Sequence, residues 1–328
     1  MNAIPLAIEL AVDLPQGCRW LPRLDTQLVK ELYLPDSQVY ETMRPEVLKL
    51  EALSIASSQK LSPGHFHSII IIPTRQRIET LGLIAHGLKH LAHDGVLLFV
   101  CDNDLGARGY MTHLKELCGD FEAESKRKCR YVKLKRSMVI NEDLLRLWQH
   151  EAGMSEVDGH HTVPGIYGWN KVDRGSKLLL TTLPSLIGVG ADLGAGSGYL
   201  SREILQKNSE VKIHLLEAEY RALACAKANL VSYPSCEFHW VDITKPEGRM
   251  VKGLDWIVMN PPFHEGNTAD TALGLSFIDT ASSMLKVGGK LFLVANVFLG
   301  YESTISRLFK TAEKVLVQDG FKVIHAER

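Results

Sequence analysis

The chain has 328 residues, enough for two domains and a sizeable buried core. Its apolar fraction of 45% and charged fraction of 23% are those of an ordinary soluble protein. The formal net charge of -1 excludes a uniformly basic nucleic-acid binder but leaves room for a local patch. The six cysteines (Cys18, Cys101, Cys118, Cys129, Cys225, Cys236) form no C-x-x-C pair, so neither a zinc site nor a disulfide framework is indicated, and no metal is expected. No apolar run approaches membrane-spanning length and no basic segment leads into one, so a cytoplasmic protein without a membrane partner is expected.

Residues 1 to about 60 carry little pattern, broken by Pro15, Pro22, Pro35 and Pro45, with a helix expected from Pro45 to Ser58. Ile69 to Ile72, ended by Pro73, is a β-branched run that predicts a strand. Leu81, Ile84, Leu88 and Leu91 follow at helical spacing, and Asp94-Gly95 turns into a second strand, Val96 to Val100. A helix through Met111, Leu114 and Leu117 and a strand from Cys129 to Leu134 complete the first half. Ser137 to Gly159 is polar and partly helical, which predicts a linker. The domains expected are therefore 1–150 and 151–328.

The same order recurs in the second half. Ile257-Val258-Met259-Asn260-Pro261 answers Ile70-Ile71-Ile72-Pro73, and Val287 to Val294 answers His93 to Val100. Two copies of one α/β unit are predicted. The first copy has no glycine-rich loop before its strand, so it is expected to be a scaffold or binding domain. In the second, Asp173-Arg174-Gly175-Ser176 caps a helix, and strands alternate with helices from Val189 to Val294 as in a doubly wound parallel sheet. Lys314 to Val317, Asp319-Gly320 and Phe321 to Ile324 then read as an antiparallel hairpin, the finish of class I methyltransferases.

Asp192-Leu193-Gly194-Ala195-Gly196-Ser197-Gly198 lies between the strand at Val189 and the helix at Tyr199, where glycines let backbone approach a ligand. Glu217 ends the next strand, where a carboxylate can accept both ribose hydroxyls of an adenosine. Asp242 ends the one after, placed to accept an adenine amino group with Ile243 against the ring. With no phosphate to cradle and no lysine in the loop, S-adenosylmethionine fits better than NAD or ATP. Asn260-Pro261-Pro262-Phe263-His264 follows a buried strand that the prolines must end. Asn260 offers an amide oxygen, Pro261 a free carbonyl and Phe263 a flat ring, the groups that would hold a planar substrate carrying an NH₂. Lys126, Arg127, Lys128, Arg130, Lys133, Lys135 and Arg136 crowd the last strand of the first domain and form the expected phosphate-binding patch.

Together these residues resemble the bacterial ribosomal RNA guanine-N2 methyltransferases, most closely the RsmC family acting on small-subunit rRNA. The resemblance rests on Pro164-Gly165-Ile166, Asp173 to Ser176, Asp192 to Gly198, Asn260 to His264 and Val294 to Leu299. It implies two tandem methyltransferase-like α/β domains, the first without cofactor. It assigns Asp192, Gly194, Gly196, Glu217 and Asp242 to S-adenosylmethionine, and Asn260 to Phe263 to the guanine; Ala195, Ile243 and Asn260 are also expected at the cofactor, with Asn260, Pro261 and Phe263 as the catalytic residues. It implies ribosomal RNA or a ribosomal subunit as partner; a monomer is expected, with Lys126, Arg127, Lys128 and Arg130 of the basic cluster on the RNA. Ala195 departs from the cysteine common in the family, and Glu217 from its aspartate. Alternatives are methyl transfer to another planar NH₂ (a large-subunit guanine, adenine N6 of DNA or a protein glutamine) and a non-catalytic RNA-binding assembly factor.

Overall fold

Ile69 and Ile71 pack with Leu97 and Phe99 in one apolar cluster, whereas Ile70 packs with Leu98 and Val100 in another. Alternate residues of a strand face opposite sides, so a continuous apolar run marks a parallel strand covered on both faces. The computed structural model describes residues 2–262 and 268–328. It divides into two units: one runs to Ser155 and takes in Val163–Gly165, the other comprises Glu156–Thr162 and Ile166–Arg328.

The first unit is built on β1 (Arg19–Pro22), β2 (Gln38–Tyr40), β3 (Ser57–Ser58), β4 (Phe66–Ile71), β5 (Leu91–Asp102), β6 (Glu124–Lys126) and β7 (Cys129–Leu134), in the order β3-β2-β1-β4-β5-β7-β6. The strands from β1 to β5 are parallel, and β7 and β6 add antiparallel. Helices Ala3–Ala11, Thr26–Leu32 and Arg44–Ala52 cover one face. Helices Arg77–Lys89, Ala107–Cys118 and Glu142–Glu151 cover the other.

A two-stranded ribbon of β8 (Ser155–Val157) and β9 (His160–Thr162) precedes the second sheet in sequence. That sheet contains β10 (Val189–Leu193), β11 (Lys212–Glu217), β12 (Cys236–Trp240), β13 (Leu254–Met259), β14 (Leu285–Asn296), β15 (Thr311–Gln318) and β16 (Phe321–Glu327). Its order, β12-β11-β10-β13-β14-β16-β15, repeats that of the first sheet strand for strand, antiparallel hairpin included. The protein is therefore two Rossmann-like α/β units of the same topology. Asp319 and Gly320 turn the final hairpin with φ of 52° and 81°, the left-handed pair that a two-residue hairpin loop requires.

Three readings of the sequence change. Residues 1–60 hold three strands of the first sheet; these are only four, three and two residues long, too short to show a period. The stretch expected to be a linker contains the helix Glu142–Glu151, whose Leu145 and Trp148 are buried in the first unit's core. A Cβ on Gly82 would lie 2.1 Å from that of Ala152, which measures how closely the chain beyond this helix packs on the helix Arg77–Lys89. Lastly, the basic cluster does not lie along the last strand alone. Lys126 ends β6, Arg127 and Lys128 form the turn, and Arg130 and Lys133 lie on β7, which sits between β5 and β6.

Candidate active site

In the second unit the strand order reverses between β10 and β13, opening a crevice beyond their carboxyl ends. The loop after β10 enters it with Gly194, Gly196 and Gly198 at φ of 72°, 55° and 82°. A Cβ on Gly196 would meet nothing within 4 Å, so this glycine faces open space while its N–H is held below by Glu217 Oε2 at 2.8 Å. The N–H groups of Gly194 and Ala195 both donate to the Leu216 carbonyl, at 2.9 and 3.2 Å. Glu217 Oε1 accepts from the N–H groups of Ala218 and Glu219, each at 2.8 Å. A carboxylate has about four acceptor sites, and three are taken by backbone, so Glu217 has room for one further donor rather than the two ribose hydroxyls expected. Burial raises its pKa, against the opposing effect of those three N–H groups.

Asp192 is 1% exposed. Its Oδ2 accepts from Ser201 Oγ at 2.8 Å, whereas Oδ1 is buried with no partner among the described residues. Burial pushes its carboxyl up to about 7, with Ser201 opposing. Asp242 is also buried; its Oδ1 accepts from the N–H and Oγ1 of Thr244 at 2.9 and 2.7 Å. Ile243 is buried beside it, its carbonyl accepting from Thr280 Oγ1 at 3.1 Å.

Asn260 follows the last residue of β13. Its Nδ2 donates to Asp173 Oδ2 at 2.8 Å and to Ser176 Oγ at 2.9 Å. A carboxylate can only accept, which fixes which end of the amide faces Asp173. Oδ1 is thereby turned the other way, buried and without a partner among the described residues. Leaving such an acceptor unpaired costs about 1–3 kcal/mol, recovered by any donor placed there. Asp173 is itself pinned: Oδ2 also accepts the Ser176 N–H at 2.7 Å as the N-cap of the helix Arg174–Thr182, and Oδ1 accepts from Tyr167 Oη at 2.6 Å. Pro261 is buried and Pro262 exposed. Phe263 and His264 lie outside the described residues.

Residues 159–325 match the family model described as the Methyltransferase small domain. A ribosomal RNA small subunit methyltransferase C from Photorhabdus laumondii is 30% identical over 238 residues, covering 71% of this chain and 69% of that protein. The chain belongs to the ribosomal RNA small subunit methyltransferase C family. A family member from Shewanella sediminis is 29% identical over 266 residues, covering 79% of this chain and 76% of its own. The T. thermophilus 16S rRNA N2 methyltransferase RsmC, solved in complex with AdoMet and guanosine, shares the fold, with a TM-score of 0.78 at 21% identity over 100% of this chain and 92% of that one.

Within this small subunit methyltransferase C family member, the residues that reading the sequence missed are those holding Asn260. Asp173 and Ser176 are visible in sequence as a helix cap, but nothing there shows that the same two side chains grip an amide 87 and 84 residues later. The first unit carries equivalent positions at the ends of its own first two strands. Strand pairing sets Pro22 beside Tyr40 as it sets Leu193 beside Leu216, so Arg23 and Glu41 occupy the places of Gly194 and Glu217. The parallel is close: the Arg23 N–H donates to the Tyr40 carbonyl at 2.8 Å, and Glu41 Oε1 accepts from the N–H groups of Thr42 and Met43 at 2.7 and 2.8 Å. The Arg23 guanidinium, however, lies against Glu41 at 2.9 Å and Glu79 at 3.4 Å. The crevice left is a cavity of about 730 Å³ lined by Arg23, Glu41, Arg75, Arg77, Glu79 and Tyr110, among others.

The expected RNA-binding residues lie at a hairpin tip. Arg127 and Lys128 have φ of 51° and 61°, a left-handed conformation that costs non-glycine residues about 1 kcal/mol or more each. Lys126 and Arg127 both pair with Glu9, the latter at 3.0 Å. Lys128 is exposed and Arg130 half-buried.

Proposed function

We propose that this protein transfers the methyl group of S-adenosylmethionine to the exocyclic N2 amine of a guanine in small-subunit ribosomal RNA. The observation that carries the reading is the Asn260 amide, gripped at Nδ2 by Asp173 and Ser176 so that the unpaired Oδ1 must accept. The residues present suit the cofactor: Asp192 has a buried unpaired oxygen for a cationic amine, and Gly196 leaves open space above the loop. Asp192, Gly194, Ala195, Gly196, Glu217, Asp242 and Ile243 would hold the cofactor, which when bound supplies an electrophilic methyl group.

The remaining work is done by the chain. Guanine N2 is a weak nucleophile because its lone pair is delocalised into the ring. Asn260 Oδ1 and the Pro261 carbonyl each accept one N2 hydrogen, which favours localising the lone pair and aiming it. Phe263, the flat ring of the motif, would stack on the base and fix its plane. Orientation of this kind can lower a barrier by several kcal/mol, at most about 7–11, and acceptors placed where positive charge develops add to it. The transfer calls for no metal. A paired guanine cannot reach the crevice, so the base must be single-stranded or flipped.

In this reading residues 151–328 are catalytic, and residues 1–150 serve as scaffold and RNA-binding domain, with Lys126, Arg127, Lys128 and Arg130 on phosphates. The acting unit is a monomer in the cytoplasm; no helix among the described residues is long and apolar enough to cross a membrane. Labelled methyl transfer to naked rRNA, isolated subunits and whole ribosomes, with the modified base identified by mass spectrometry, tests the proposal. Label on an adenine, on protein or on nothing would overturn it.

A further inference from the structure

β11 and β12 pair in parallel with His214 opposite Glu237 and Leu216 opposite His239. Residues two apart on a strand share a face, so His214, Glu237 and His239 project from the same side of the sheet. His214 Nδ1 lies 3.0 Å from His239 Nε2 and 3.4 Å from Glu237 Oε2, and the latter is 4.0 Å from His239 Nε2. An ion bound tetrahedrally at about 2.0–2.2 Å sets its donor atoms roughly 3.3–3.6 Å apart. The observed triangle brackets that spacing without any strand having to move.

The rings lie 5.3 Å apart, tilted by 30°, with one nitrogen of each turned toward the other. Their side chains are 15% and 20% exposed, whereas Glu237 is 65% exposed, so two fixed ligands sit beside one that can swing over an open entrance. An unprotonated imidazole nitrogen donates its lone pair to an ion. In the present contact one ring supplies a proton and the other a lone pair. With an ion between them both supply lone pairs, and the proton moves to the outer nitrogen of the same ring.

We propose that His214, Glu237 and His239 form a binding site for a divalent transition-metal ion, best matched by zinc, with a fourth position open to water. Two imidazoles and one carboxylate suit zinc rather than magnesium, which prefers an all-oxygen shell. The sequence hides this site because its halves are joined only by strand pairing. The ion clamps the edge strand β12 to β11. His214 precedes Glu217 by three residues and His239 precedes Asp242 by three, so the clamp lies about 10 Å back along the two strands from residues assigned to the cofactor. The site stands whether or not the methyl-transfer reading does, since it rests on separate side chains.

The test uses the full chain, free of any histidine tag and stripped with chelator, titrated with zinc chloride or magnesium chloride. Calorimetry should give one zinc per chain in the micromolar range or tighter, with a higher melting temperature; magnesium should do neither. Cobalt should give a visible spectrum of nitrogen and oxygen ligation, without the thiolate charge-transfer band a cysteine site would add. His214→Gln with His239→Gln should abolish binding. Glu237→Gln, at a side chain 65% exposed, should keep the wild-type melting temperature without zinc and weaken zinc binding at least roughly tenfold, since losing a ligand costs no less than losing an outer partner of one. No stoichiometric zinc, or zinc binding unchanged by Glu237→Gln and by the histidine pair, would overturn the proposal.

Discussion

Asn260 Nδ2 donates to Asp173 Oδ2 at 2.8 Å, and this bond dictates the direction in which the amide can accept. Removing the acceptor and disturbing its orientation should therefore both slow the reaction. Asn260→Ala is expected to lower the single-turnover methylation rate by about 10²-fold or more, with cofactor affinity little changed. Asp173→Ala removes the oxygen that holds Nδ2, so Asn260 Oδ1 is no longer aimed, and it also removes the helix cap, at about 0.5–2 kcal/mol of stability. It should cost roughly 10- to 100-fold in single-turnover rate, measured at a temperature where the melting curve shows the protein folded. A folded Asp173→Ala protein at the wild-type rate would detach Asp173 from the chemistry.

Asp192 couples stability to pH. Burial pushes its carboxyl up to about 7, well above the ordinary aspartate range. The folded state therefore binds this proton more tightly than the unfolded state. Stability from this group is greatest below about pH 4, falls as pH rises toward about 7, and is level above that. Full loss is on the order of 4 kcal/mol. Asp192→Asn should melt higher than wild type at pH 8, with a flatter pH profile, and yet bind S-adenosylmethionine more weakly. Parallel melting and calorimetry across pH check both halves; an unchanged pH profile would show that the carboxyl is ordinary.

The first unit should take no cofactor, because Arg23 projects where the second has Gly194. Calorimetry on the full chain is expected to give one S-adenosylmethionine per chain. Glu217→Ala should weaken binding by about 1–3 kcal/mol, and Glu41→Ala should leave it alone. A stoichiometry of two would refute the comparison of Arg23 with Gly194.

The hairpin tip gives two opposed expectations. Neutralising Lys126, Arg127 and Lys128 should weaken RNA binding and flatten its salt dependence by about one unit of slope per lost phosphate contact. Glu9→Gln should do the reverse, because Glu9 pairs with two of the three cations. Filter binding over a salt series distinguishes them. RNA affinity indifferent to both changes would make the tip merely a solvated turn.

What the sequence disclosed was whatever lies close together along it. The loop from Asp192 to Gly198 and the turn at Asp319-Gly320 could be read because each is one short segment with glycine where positive φ is needed. The equivalent turn at Arg127-Lys128 could not, since it adopts the same backbone with residues that do not advertise it. The strands in the first sixty residues are too short for periodicity, and the helix Glu142–Glu151 looked like linker because only Leu145 and Trp148 of it are buried. The grip on Asn260 and the cluster at His214 depend on side chains brought together by the sheet, which no local pattern encodes.

Glu41 has a wider consequence. In both units the carboxylate after the second strand accepts two successive backbone N–H groups and so fixes the exit of the chain toward the next helix. That anchoring serves the turn whether or not a nucleoside ever arrives. Selection on the fold alone can keep such an acid in a unit that binds no ligand. An acid at that place therefore reports the turn, and the two units differ instead at the residue after the first strand, glycine in one and arginine in the other.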